Sequence, residues 1–196
     1  MVRLPDSRSD YLVAVPALVG LVFVLDLAWS LSGVYTGSIL YGLVDEPAHL
    51  ATCAVAVCVL VLCGRELSRS FVIGALVASV AIDLDHVPQH LGLDFLTAGT
   101  SRPYLHCALS VLIPALAAVA LPKWRPVLLG IAFGFALHLI RDLVTGPGVP
   151  LALPFSEASV RLPYLLYAVA LGAAAAACLF AAARLRPAPP DVGSRR

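Results

Sequence analysis

Two carboxylates and an imidazole stand together at Asp83-Leu84-Asp85-His86, closing an apolar run over residues 71–82 that only Ser79 interrupts. Ionisable groups inside a membrane segment cost about 2.5–3.5 kcal/mol each on insertion scales, so they are kept where they pair, bind an ion or line a wet cavity. His138 and Asp142 lie four residues apart, on one face of any helix that contains them, which suits two ligands of one ion or a histidine with its orienting carboxylate. Glu46 and His49 are three apart, as are Asp83 and His86. Asp85 turns away from its neighbours on an ideal helix, so either the helix end unwinds or Asp85 serves a second ion. Histidine with carboxylate in this number suits zinc, with manganese or magnesium as alternatives. His49, Asp83, Asp85, His86, His106, His138 and Asp142 are enough ligands for two or more ions.

The composition sets the solvent in which these groups must work. The chain has 196 residues, 60% of them hydrophobic and only 13% charged, with a mean hydropathy of +0.93. Soluble domains run to about 45–50% apolar and about 25% charged, so this is an integral membrane protein. The net charge of +1 is uninformative, but the lack of a basic cluster interleaved with aromatics argues against a nucleic-acid-binding surface. The five cysteines, Cys53, Cys58, Cys63, Cys107 and Cys178, sit in apolar runs without a CxxC pair and read as small packing residues. Cys107, beside His106, is the one near chemistry.

Six transmembrane helices must position the candidate site, expected near residues 11–31, 45–63, 70–86, 105–121, 127–144 and 162–183, in a single all-α domain over 1–183. A cleaved signal peptide is the rival for the first, but the run is longer than a signal core and carries Asp26. Asp26 reads as a structural carboxylate with a hydrogen-bonding partner, or alternatively as part of the site. Asp45-Glu46-Pro47 reads as the start of the second helix. The proline- and arginine-rich tail 184–196 is expected to be disordered and cytoplasmic. Ten of the thirteen Lys and Arg residues fall on the side of the two termini, so the positive-inside rule places both termini in the cytoplasm. His49, residues 83–86, His106, and His138 with Asp142 then share the opposite, extracytoplasmic side; His90 follows one turn past His86. The third helix reaches spanning length only if 83–86 lie within the membrane, which sinks the site below the outer surface.

Residue by residue, ordinary structural roles compete. His138 alone can be an interhelical hydrogen bonder, Asp142 an ion-pair partner of Arg141, and Asp85-His86 a helix cap. Three carboxylates and four imidazoles at a single depth favour a shared site.

These residues resemble the YdjM family of inner-membrane, metal-dependent hydrolases. His49 matches its histidine at a helix start, and Asp83-Leu84-Asp85-His86 its D-x-D-H motif. His138 with Asp142, followed by Thr145, Gly148, Val149, Pro150, Leu151 and Pro154, matches its H-x-x-x-D and T-x-x-G-V-P-L blocks. In the third motif, H-R-G-x-T-H-S, the chain keeps Arg102 and His106 but has Ser101 in place of the first histidine and Cys107 in place of the last serine. The resemblance implies a metal-activated water as nucleophile. Glu46 or Asp85 would accept its proton, and Arg102 or Arg141 would hold an anionic group. The H-x-x-x-D pairing is also similar to that of zinc phospholipase C, which makes a phosphoester lipid from the outer leaflet the expected substrate. The run 145–154 would form a re-entrant wall, since irregular backbone at membrane depth is tolerated where it lines a cavity. A divalent-cation transporter and a non-catalytic membrane scaffold are the alternatives. The apolar cytoplasmic halves of the second, third and fifth helices argue against a path for ions. The oligomeric state is not legible.

Overall fold

The computed structural model describes residues 8–32, 39–93, 95–97 and 102–184. Ser101, the glycines at 33, 37 and 99, the side chain of His90 and the tail beyond 184 lie outside the described residues. Among those described, the helices are α1 (Arg8–Ser32), α2 (Ile39–Leu62), α3 (Arg69–Ala81), α4 (Val87–His90), α5 (Ala108–Ala120), α6 (Arg125–Thr145) and α7 (Tyr164–Arg184). A 3₁₀ turn, Ile82–His86, joins α3 to α4. The candidate spans are α1, α2, α3 with its extension to Gln89, α6 and α7; each is long and apolar enough to cross a bilayer.

The fourth expected span is shorter than the sequence pattern predicts. α5 has 13 residues, which at about 1.5 Å per residue gives about 20 Å against a hydrocarbon core of about 30 Å. Leu105-His106-Cys107 is apolar enough to read as helix, yet the segment is a loop whose Cys107 is extended (φ −146°, ψ 169°). The α2 boundary also differs. The helix begins at Ile39, and Pro47 lies inside it. By type Gly42 reads as a turn residue, yet one glycine costs a helix only about 1 kcal/mol relative to alanine and it lies within α2. Pro47 lacks an N–H for the carbonyl of Leu43, so the ladder is interrupted just where α2 carries Asp45, Glu46 and His49.

The centre of the molecule is the parallel pair α3 and α6. Gly130 faces the backbone of Phe71, Gly134 faces the carbonyl of Ala75, and His138 reaches the carbonyl of Ser79, a constant offset of 59 residues. A Cβ at Gly130 or Gly134 would strike that opposing backbone, and one at Gly74 would lie 2.8 Å from the Val127 carbonyl. Small residues let membrane helices approach this closely. Gly130, Gly134, His138 and Asp142 form one i+4 row, so the face that packs on α3 in its first half presents ligands in its second. Below the ligands, Cys53, Val57 and Ala75, with Phe133 and Leu137, form an apolar plug. α1, α2 and α7 pack through Val15, Val19, Val22, Val55 and Leu171.

Between α6 and α7 the chain folds back on itself. Val149 and Val160 exchange both backbone hydrogen bonds at 2.9 Å, and Gly148 supplies the left-handed conformation (φ 106°) that this turn needs. Val149, Pro150 and Leu153 are buried. The Leu151 carbonyl accepts from Ala108 N–H at 3.0 Å, serving an otherwise open donor at the start of α5.

Candidate metal centre

Pro88 shapes the D-x-D-H stretch. It has no N–H to give to the Leu84 carbonyl, so the α-helical ladder is interrupted at this point. The Val87 N–H takes that carbonyl instead, and Ile82–His86 tightens to 3₁₀. In a 3₁₀ turn residues i and i+3 eclipse. Asp83 Oδ1 therefore lies 3.6 Å from His86 Nε2, while Asp85 points to the loop that carries His106. There Asp85 Oδ2 accepts the Leu105 N–H at 3.2 Å and sits 3.4 Å from His106 Nδ1. The expected choice between an unwound helix and a second ion is met by tightening, and Asp85 is brought to the site.

The loop 102–107 delivers His106 and Arg102. His106 N–H bonds the Pro103 carbonyl at 3.0 Å, and Ser110 Oγ donates to the Leu105 carbonyl. Arg102 lies against Gly146, where a Cβ would collide with its guanidinium. Its Nε donates to the Gly148 carbonyl at 3.0 Å, and its Nη1 is 2.7 Å from Asp142 Oδ2.

Two groups of ligand-bearing side chains result. In the first, Asp83, Asp85, His86 and His106, and in the second, His49, His138 and Asp142, one ligand atom per residue lies within 4.8 Å of the others. They join into one cluster. Asp83 Oδ1 is 2.9 Å from His106 Nε2 and 3.4 Å from His138 Nε2. Asp142 Oδ2 is 3.3 Å from His138 Nε2 and 3.5 Å from His106 Nε2. The His49 and His138 rings stack with centroids 3.8 Å apart. All are buried but Asp83 and His86, whose side chains keep 21% and 27% of their exposure and mark the mouth. Glu46 is in side-chain contact with Asp83.

The polar accounting fits a cation. His138 Nδ1, 2.9 Å from the Ser79 carbonyl, must donate to it, so that on the neutral ring a metal would bind, Nε2 carries the lone pair. That Nε2, both nitrogens of His49, His106 Nδ1, Asp85 Oδ1 and Glu46 Oε2 are buried without a hydrogen-bond partner among the described residues. Buried polar atoms are nearly always satisfied, and orphans gathered at one point fit a missing ligand. A carbonyl that fixes the ring tautomer is the usual support of a metal-ligating histidine. His106 lies outside the spanning helices. Burial works to lower its pKa, but Asp83, Asp85 and Asp142 outweigh burial and raise it above the ordinary histidine value. A cation and a proton compete for that nitrogen.

Of the residues singled out from the sequence, Glu46, His49, Asp83, Asp85, His86, Arg102, His106, His138 and Asp142 come together here. Arg141 does not. Its Nη2 donates to Asp26 Oδ1 at 2.6 Å and to Asp45 Oδ1 at 2.9 Å, away from the ligand groups. Tyr164 OH donates to Asp26 Oδ2 at 2.7 Å. Asp26 thus has the hydrogen-bonding partners expected of a structural carboxylate. Sequence reasoning passed over Asp45 as a site neighbour, although it precedes His49 by one turn and lies 3.4 Å from its Nε2.

The YdjM inner membrane protein family model matches residues 44–190. The chain belongs to the YdjM inner membrane protein family. The YdjM match covers well over half of the chain, starts one residue before Asp45 and contains every residue of both ligand groups. α1, with Asp26, lies outside it. Membership and the apolar helices make this a multi-pass inner-membrane protein. No curated protein and no solved structure matches.

Proposed function

We propose that the protein is a membrane-embedded, metal-dependent hydrolase acting on a phosphoester or related lipid reached from the outer leaflet. The observation that carries this reading is the joined pair of ligand groups whose buried nitrogens lack partners. His49, Asp83, Asp85, His86, His106, His138 and Asp142 would hold one or more divalent ions, zinc first and manganese or magnesium next. Such an ion supplies Lewis acidity to a phosphoryl or acyl oxygen and brings the pKa of a bound water toward about 7.

The chain's own groups would do the rest. Glu46, whose Oε2 has no hydrogen-bond partner among the described residues, would accept a proton from the attacking water, with Asp85 Oδ1 as the second acceptor. Arg102 is the guanidinium beside the ligand groups and takes an anionic oxygen of the substrate, while holding Asp142 and the Gly148 carbonyl in place. Segment 146–163 is the re-entrant wall of the site. The basic ends of α2, α3, α6 and α7 favour a topology with both termini in the cytoplasm and the mouth at Asp83 and His86 toward the outer leaflet. The plug of Cys53, Val57 and Ala75 closes the way to the other side, which favours chemistry at one face over ion passage.

Metal analysis of the purified protein tests the reading first, with stoichiometric zinc or manganese expected. Hydrolysis of a phosphoester lipid in mixed micelles should then stop with chelator and return with metal. A wild-type protein without stoichiometric metal would overturn the proposal. A cysteine placed at exposed Glu157 should react with an impermeant thiol reagent from outside the cell; reaction only from the cytoplasm would invert the topology.

A further inference from the structure

His138 is oriented by the Ser79 carbonyl; His49 has no equivalent. Neither of its ring nitrogens has a hydrogen-bond partner among the described residues. Its ring rests flat on His138, interplanar angle 13°, which fixes the ring plane but leaves open the half-turn about Cβ–Cγ that trades each nitrogen for a carbon. The polar groups that limit that rotation are Asp45 Oδ2 at 3.4 Å and Asp142 Oδ1 at 3.6 Å from Nε2. Asp142 is itself a ligand candidate. Asp45 is not in either ligand group, and its other oxygen is gripped by Arg141 Nη2 at 2.9 Å.

Arg141 is gripped in turn. The same nitrogen meets Asp26 Oδ1 at 2.6 Å, Nη1 reaches Asp26 Oδ2 and Tyr167 OH at 3.4 Å each, and Tyr164 OH closes on Asp26 Oδ2. Tyr167 OH also bonds Thr52 Oγ1 on α2. A tether therefore runs from Tyr164 on α7 through Asp26 on α1 and Arg141 on α6 to Asp45 on α2, and stops at His49. Among the described residues α1 and α7 give no side chain to either ligand group; the tether links them to it. With its Nη donors spent on carboxylates and Tyr167, Arg141 is poorly disposed to receive an anionic substrate.

The geometry assigns Asp45 and Arg141 to the metal centre as positioning residues: Asp45 sets the rotation of the His49 ring, and Arg141, braced by Asp26, sets Asp45. This rests on the metal-centre reading above. With Nε2 turned to Asp45, Nδ1 is the nitrogen left for a metal, which is the carboxylate–histidine arrangement that commonly supports ligation and whose loss costs about 10–100-fold in affinity. Arg141 suits the brace because its planar fork holds two carboxylates in fixed directions, whereas the rotatable ammonium of a lysine fixes none.

Cobalt(II) titration of the purified, metal-stripped protein tests this, because the visible bands of cobalt report its ligands as well as its affinity. Asp45→Asn should weaken cobalt binding by about 10–100-fold and shift the bands. Arg141→Lys and Asp26→Asn should produce the same band shift with smaller losses of affinity. Thermal unfolding of the metal-stripped variants separates positioning from general loosening, since a purely structural role would lower the midpoint and leave the bands of the folded protein unchanged. Wild-type bands and affinity in Asp45→Asn and Asp26→Asn would overturn this inference alone. A wild type that binds no cobalt would overturn the metal-centre reading and this inference with it.

Discussion

Two polar clusters share the same end of the helix bundle, and they solve opposite problems. Around Arg141, opposite charges meet at hydrogen-bond distance and both Nη nitrogens are used, leaving only Nε without a partner. Around Asp83 and Asp142, carboxylates and imidazoles crowd together with several buried atoms unpaired. A buried pair that satisfies itself is scaffolding; a buried cluster that does not is shaped for something else to complete it.

Substitutions can break that contrast in graded steps. Arg141→Leu should be the most damaging to folding, since it leaves Asp26 and Asp45 buried without a cation. Breaking such a pair costs about 3–5 kcal/mol, read as a lower unfolding midpoint in detergent without metal. His138→Ala should do the reverse: metal affinity should fall by about 100-fold or more, with a smaller change in metal-free stability, because it removes one neutral hydrogen bond to the Ser79 carbonyl and the His49 stack but no ion pair at hydrogen-bond distance. If both variants lowered stability equally and left metal binding alone, the distinction between the clusters would be lost. Gly134→Ala should cost about 1–3 kcal/mol by forcing α6 away from the Ala75 carbonyl, and should weaken metal binding in parallel through Ser79 and His138. Asp85→Asn keeps an oxygen for the Leu105 N–H but loses its charge beside His106 Nδ1, so about a tenfold loss of metal affinity with native stability is expected. Glu157→Gln, on the exposed return to α7, should stay within about 0.5 kcal/mol of wild type.

What could be read from the sequence was whatever the 3.6-residue period carries. His138 with Asp142, Glu46 with His49, and the apolar lengths of most spans all follow from local spacing. Pro88 held the information for the 3₁₀ turn, because a proline two residues past His86 denies Leu84 its donor, but the D-x-D-H motif draws the eye to its own residues. The approach of Arg141 to Asp26 and Asp45 was not legible, since those partners lie 115 and 96 residues away and nothing local ties them. The same holds for the match of Gly130 and Gly134 to α3, where the signal is a missing side chain. Residues 105–107 misled by hydropathy: an apolar loop reads as helix until the groups it must deliver are known.

The shortness of α5 reaches beyond the protein. With about 20 Å of apolar length where its neighbours offer more, the surrounding lipid must either thin or let its headgroups sink beside the loop 102–107. The mouth at Asp83 and His86 is rimmed by exposed Leu84, Val87, Tyr104 and Leu105. A sunken headgroup layer there brings the interfacial plane down to the ligands. On the proposed reading of a lipid substrate, bilayer thickness would control how deep that lipid must travel, and membranes of shorter acyl chains should relieve the mismatch that longer ones impose.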